Sequence, residues 1–69
     1  MKISARNKLK GKVIEVRKGA TTAHIRIEVS GAIVTASITN EAVDELGLKA
    51  GQAAYAVIKA SDVMVAIDD

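Results

Sequence analysis

A chain of 69 residues with no cysteine and a single histidine, His24, leaves room for one small domain. It excludes disulfides, thiolate zinc sites and a His-rich metal site. The net charge of +2, from ten Lys and Arg against eight Asp and Glu, is too mild for a nucleic-acid footprint.

The apolar share is 49%, but twelve of those residues are Ala and there is no Phe or Trp, so Val, Ile and Leu must build the core with many Ala. A domain this small buries only about 60% of its unfolded surface. Without disulfides or a metal, the remaining staple is association with further copies. The basic residues are uneven: Lys2, Arg6, Lys8, Lys10, Lys12, Arg17 and Lys18 crowd the first quarter, and Asp68-Asp69 closes the chain. A locally positive N-terminal region attracts small anions. No apolar run approaches ~18 residues and no signal-peptide pattern opens the chain. The expectation is one soluble cytoplasmic domain over residues 1–69, with no membrane partner.

The first strand is expected over Asn7 to Arg17. Ile14 and Val16 alternate with Glu15 and Arg17, Val13 breaks the alternation, and Gly11 implies a bulge, a bend or a close backbone approach. Lys18-Gly19-Ala20-Thr21 reads as a turn. Thr22 to Val29 is the cleanest strand: Ala23, Ile25, Ile27 and Val29 alternate with His24, Arg26, Glu28 and Ser30. Ser30-Gly31 is a tight turn into a third strand, Ala32 to Thr39, whose second face carries Thr35, Ser37 and Thr39. Asn40 to Leu46 is the one helical candidate, with Asn40 as N-cap, Val43 and Leu46 inward, and Gly47 as the terminating residue. A fourth strand runs from Ala53 to Lys59. A fifth runs from Val63 to Ile67, after an interruption at Ala60-Ser61-Asp62. The order β-β-β-α-β-β is that of an all-β, OB-like five-stranded barrel with one short helix between strands three and four.

No GxSxG, GxGxxG or P-loop pattern occurs, and there is no Cys–His pair. His24 sits mid-strand on a polar face and reads as a plain surface residue, so no enzymatic activity is expected. Single-strand nucleic-acid binding needs aromatic platforms over a basic groove, and Tyr55 is the sole aromatic residue. What remains is two clusters of donors at opposite ends of the chain: Ser4-Ala5-Arg6-Asn7, and Lys59-Ala60-Ser61. Each residue has a bland explanation as a solvated charge, a turn hydroxyl or, for Thr39, a helix cap. Together they meet the needs of a tetrahedral dianion, which takes several N–H and O–H donors and one or two cations. Thr39, beside a helix start, would add backbone N–H groups.

Ser4-Ala5-Arg6-Asn7 with Leu9-Lys10-Gly11, Gly19-Ala20, Thr35 to Thr39, Leu46 to Gly51, and Ile58-Lys59-Ala60-Ser61-Asp62-Val63 follow one another as in the molbindins, single Mop domains that bind molybdate. The chain resembles that family over almost its whole length. The resemblance implies an OB-like barrel whose N-terminal strand is exchanged between subunits of a homohexamer, a trimer of dimers. It also implies molybdate or tungstate bound between subunits, no organic cofactor, and a role in molybdenum storage and homeostasis. Carried over residue by residue, one class of oxyanion site takes Ser4, Ala5, Arg6, Thr39, Lys59, Ala60 and Ser61. A second class, near the three-fold axes, falls on Gly19, Ala20, Thr21 and Thr22, where this chain departs from the Val-Asn common in the family. Nothing in the spacing separates molybdate from sulfate. A pterin would want a stacking surface that the chain scarcely offers. The competing reading is a non-enzymatic oligomeric interaction or regulatory module in which both clusters serve subunit contacts. A molybdate-dependent rise in thermal midpoint separates the two.

Overall fold

Strict alternation makes Thr22–Val29, here β2, the centre of the molecule. In the computed structural model, which describes residues 1–69, Ala23, Ile25 and Ile27 are buried while His24, Arg26 and Glu28 are exposed. β2 pairs antiparallel on one side with β3 (Ala32–Thr39) and on the other with β1 (Asn7–Lys18). The β2–β3 turn sets both central residues left-handed, Ser30 at φ 48° and Gly31 at φ 86°. That geometry matches the twist of the flanking strands. β4 (Ala53–Ile58) pairs antiparallel with the first half of β1, so the sheet order is β3-β2-β1-β4.

β1 is long because it serves two neighbours: Asn7 to Lys12 face β4 and Lys12 to Lys18 face β2. The broken alternation at Val13 is a β-bulge, since Val13 pairs with Ile27 and Glu15 with Arg26, leaving Ile14 as the extra residue. The bulge turns both Val13 and Val16 toward the core and Ile14 toward solvent. Gly11 is the predicted close approach. A Cβ there would be driven into the Glu28 carbonyl oxygen and would stand 2.8 Å from the Val29 side chain.

The helix α1 (Asn40–Leu46) starts one residue earlier than the capping pattern predicts. Thr39 is the N-cap, its Oγ1 accepting from the Ala42 N–H at 3.0 Å, and Asn40 is already helical. Asn40 is drawn inside because its amide has other work, donating to the Gly19 carbonyl at 2.9 Å. Gly47, at φ 62°, ends the helix. Val43 is buried with Val13, Ala23, Ile25, Ile27 and Ala56, whereas Leu46, predicted inward, is 63% exposed.

The fold is all-β with one short helix, but the five-stranded closed barrel is corrected to four strands in an open sheet. β4 ends at Ile58, a 3-10 turn covers Ala60–Asp62, and Val63 to Ile67 form no strand. A strand is defined by a partner, and within the chain this segment has none: Met64, Val65 and Ile67 are each at least 87% exposed. β1 is paired on both sides inside its own chain, and residues 1–6 lie ahead of it outside the sheet.

Candidate functional site

The β1–β4 ladder brings the two donor clusters together. Its last pair is Asn7 opposite Ile58, reinforced by Asn7 Nδ2 donating to the Ile58 carbonyl at 3.2 Å. Ser4, Ala5 and Arg6 lead into that end of β1, and Lys59, Ala60 and Ser61 leave that end of β4. Residues 51 or more apart in sequence therefore share one corner of the sheet. Ser4, Arg6, Lys59, Ala60 and Ser61 are exposed and Ala5 is half-buried. After Lys59 the chain tightens into the 3-10 turn, closed by Asp62 N–H to the Lys59 carbonyl at 2.9 Å and Val63 N–H to the Ala60 carbonyl at 3.2 Å.

No ion pair neutralises the cations at this corner. The ion pairs of the molecule are Arg17–Glu15 at 3.3 Å, Arg26–Glu15 at 3.8 Å and Lys18–Asp44 at 2.6 Å, and neither Arg6 nor Lys59 belongs to them. A guanidinium, an ammonium and two hydroxyls form a donor set for an oxyanion, and a poor one for a bare cation; Asp62, in the same 3-10 turn, pairs with neither cation.

Thr39 is not at this corner. It pairs with Thr22 at the opposite end of the sheet, where β1 reaches Lys18 opposite Ala23. From Asn7 to Lys18 along β1, at ~3.3 Å per residue, the separation is on the order of 30 Å, in a molecule whose longest dimension is 39 Å. One chain therefore does not bring Thr39 to Arg6 and Lys59. Its hydroxyl accepts the helix cap bond, which leaves its O–H free to donate.

Gly19, Ala20 and Thr21 form the exposed β1–β2 connection at the Thr39 end, and Thr22, also exposed, opens β2. The Gly19 N–H donates to the Thr22 carbonyl at 2.7 Å, and the Thr21 carbonyl accepts from the Asn40 N–H at 2.9 Å. The bent connection thus leans on the helix start. Asn40 Oδ1 is buried there without a partner. Gly19 and Thr22, with Arg17, Lys18 and His24, line a shallow polar hollow of about 240 Å³. Those last three side chains were not among the predicted site residues. The signal for them is the hairpin register, which sets Arg17 directly across from His24.

The TOBE domain model matches residues 3–65. The chain is 45% identical over 69 residues to a probable molybdenum-pterin-binding protein of Haemophilus influenzae, covering 99% of this chain and 100% of that one. A molybdate-binding protein of Sporomusa ovata superimposes with a TM-score of 0.92 at 39% identity, covering 97% of this chain and 100% of that one. The cytoplasmic molybdate-binding protein ModG superimposes with a TM-score of 0.87 at 46% identity, covering 93% of this chain and 46% of that one. Read with the donor corner and the four-stranded sheet, these likenesses establish that the chain belongs to the TOBE domain family and, within it, to the single-domain molbindins.

Proposed function

We infer that the protein binds molybdate, and tungstate with it, as a non-enzymatic oxyanion carrier in molybdenum storage and homeostasis in the cytoplasm. The observation that carries this reading is the meeting of Arg6 and Lys59 at the Asn7–Ile58 end of the sheet, neither of them neutralised by a carboxylate. A relative named for molybdenum-pterin binding and structural neighbours named for molybdate binding supply the identity of the anion.

Ser4, the Ala5 backbone, Arg6, Lys59, Ala60 and Ser61 hold the oxyanion by charge-assisted hydrogen bonds, the two cations offsetting its double negative charge. Thr39 joins them from a second chain, because in its own chain it lies on the order of 30 Å away by strand rise. The working assembly is then a homo-oligomer with sites between subunits, a hexamer built as a trimer of dimers. Its N-terminal exchange involves the residues ahead of β1, since β1 is paired on both sides in its own chain. Gly19, Ala20, Thr21 and Thr22 form a second class of site, with Arg17, Lys18 and His24 beside them, the first two already paired with Glu15 and Asp44. The free oxyanion is the ligand rather than a molybdenum-pterin: the one aromatic residue, Tyr55, lies opposite Lys10, three pairs in from the donor corner, and offers a single ring for stacking.

A thermal melt with molybdate, and with sulfate as the control, tests this. A ligand bound only by the folded state at a hundredfold over its Kd adds about 2.7 kcal/mol, a clear rise in midpoint for a domain of this size. A rise with molybdate and none with sulfate supports the reading. Equal midpoints with molybdate, with sulfate and with neither contradict it and favour the interaction module.

A further inference from the structure

The two donor clusters of the oxyanion corner hang from the sheet at one point. No hydrogen bond joins residues 1–6 to residues 59–63. The last tie between the two segments is the side chain of Asn7, whose Nδ2 donates to the Ile58 carbonyl at 3.2 Å. It is the one side-chain hydrogen bond at this end of the sheet. Asn7 and Ile58 are both half-buried, so the bond is partly shielded from water.

The carbonyl that Asn7 holds governs the start of Lys59. It belongs to the planar peptide whose nitrogen is that of Lys59, so its direction fixes the first atoms of that residue. Lys59 is extended, at φ −63° and ψ 133°, and leads into the 3-10 turn Ala60–Asp62 that carries Ser61. On the other strand, Asn7 follows Arg6 directly. One further step of the β1–β4 register would set Arg6 opposite Lys59, but the ladder stops short of that pair. Asn7 therefore ties the two segments one residue away from each cation.

Spacing is what a site of this kind needs to tell molybdate from sulfate. Both are tetrahedral dianions, and molybdate is the larger. Attraction between charges grows as they approach, so cations free to close in do at least as well on the smaller anion. Cations held at a set separation favour the anion that fills it, because little ordering is left for binding to bring about.

We propose that Asn7 is a positioning residue that sets the separation of the Arg6 and Lys59 segments, and through it the preference for molybdate over sulfate. Asn7 acts through the Ile58 carbonyl rather than on the anion. This role rests on the oxyanion reading of the corner.

Asn7→Ala tests it, with radiolabelled molybdate in equilibrium dialysis and unlabelled sulfate as competitor at constant ionic strength. The dissociation constant for molybdate is expected to rise about five- to tenfold. That for sulfate, read from the displacement of label, is expected to change less than about twofold, so the preference narrows. Asn7→Gln keeps the amide donor and is expected to return much of it. A merely structural role would leave the ratio of the two constants where it was, so an unchanged ratio in folded Asn7→Ala overturns the proposal. Backbone order parameters measured by NMR without ligand give a second readout. At Arg6 and Lys59 they are expected to fall in Asn7→Ala while those of β2 hold; unchanged values at both residues also overturn it. If Asn7→Ala fails to fold, Asn7→Ser, whose hydroxyl is one atom short of the carbonyl, takes its place. A natural chain that takes up no molybdate fails the oxyanion reading, and this role with it. A natural chain that binds molybdate, with a variant of equal preference, fails the role of Asn7 alone.

Discussion

At the Asn7 end of β1, Arg6 and Lys59 form no ion pair, while at the Lys18 end several polar groups already have partners within the chain. There Lys18 meets Asp44 at 2.6 Å, Thr39 caps the helix, and Asn40 ties the helix start to Gly19 and Thr21. Both ends carry cations and hydroxyls, so composition does not distinguish them. The difference is in what the groups already do. Donors satisfied within the chain stabilise the fold, and donors left over at an exposed corner are available to a ligand. Substitutions at the two ends should therefore separate binding from stability.

The largest effect is expected beneath both ends. Ile25, 1% exposed at the middle of β2, should cost about 2–5 kcal/mol on replacement by Ala, measured by urea denaturation, and should weaken both ends together. Arg6→Ala or Lys59→Ala should lower molybdate affinity about ten- to a hundredfold, the loss of a charge-assisted bond worth roughly 1.5–3 kcal/mol. Titration calorimetry reads that loss, and the melting midpoint without ligand should hardly move. Unchanged affinity in both variants would sink the assignment of the corner. Thr39→Val removes a cap bond worth about 1 kcal/mol, which lowers the midpoint by roughly 4–8 °C at fixed protein concentration. Thr39→Ser keeps the hydroxyl and should restore it. A Thr39→Val midpoint equal to that of the natural chain would mean the cap contributes nothing. Smallest is Lys18→Ala. Its pair with Asp44 is short but exposed on both sides, so a change within about 0.5 kcal/mol is expected by denaturant titration.

How far the sequence discloses this depends on where each residue's partner lies. β2 and β3 are legible because alternation and the Ser30-Gly31 turn are local signals, and the structure returns both strands with their predicted bounds. The helix is legible, but its cap falls on Thr39 because Asn40 answers to Gly19, a partner 21 residues away. The bulge at Ile14 left its mark as broken alternation, although only the register shows which residue is extra. Val63 to Ile67 has the composition of a strand and no strand geometry, since the ladder that would make it one needs a partner and the segment has none within the chain. For the candidate site, the nearness of Arg6 to Lys59 follows from β4 pairing with β1, which sequence order alone does not dictate. The distance of Thr39 from both follows from the same ladder and was hidden for the same reason.

Native mass spectrometry of the purified protein, with molybdate added and with sulfate as the control, tests the central claim most directly. An oligomer, a hexamer in its full form, that gains several molybdates and no sulfates is expected. A single chain that takes up neither anion would contradict both the anion and the shared site, and would leave the exposed Arg6 and Lys59 as ordinary solvated charges.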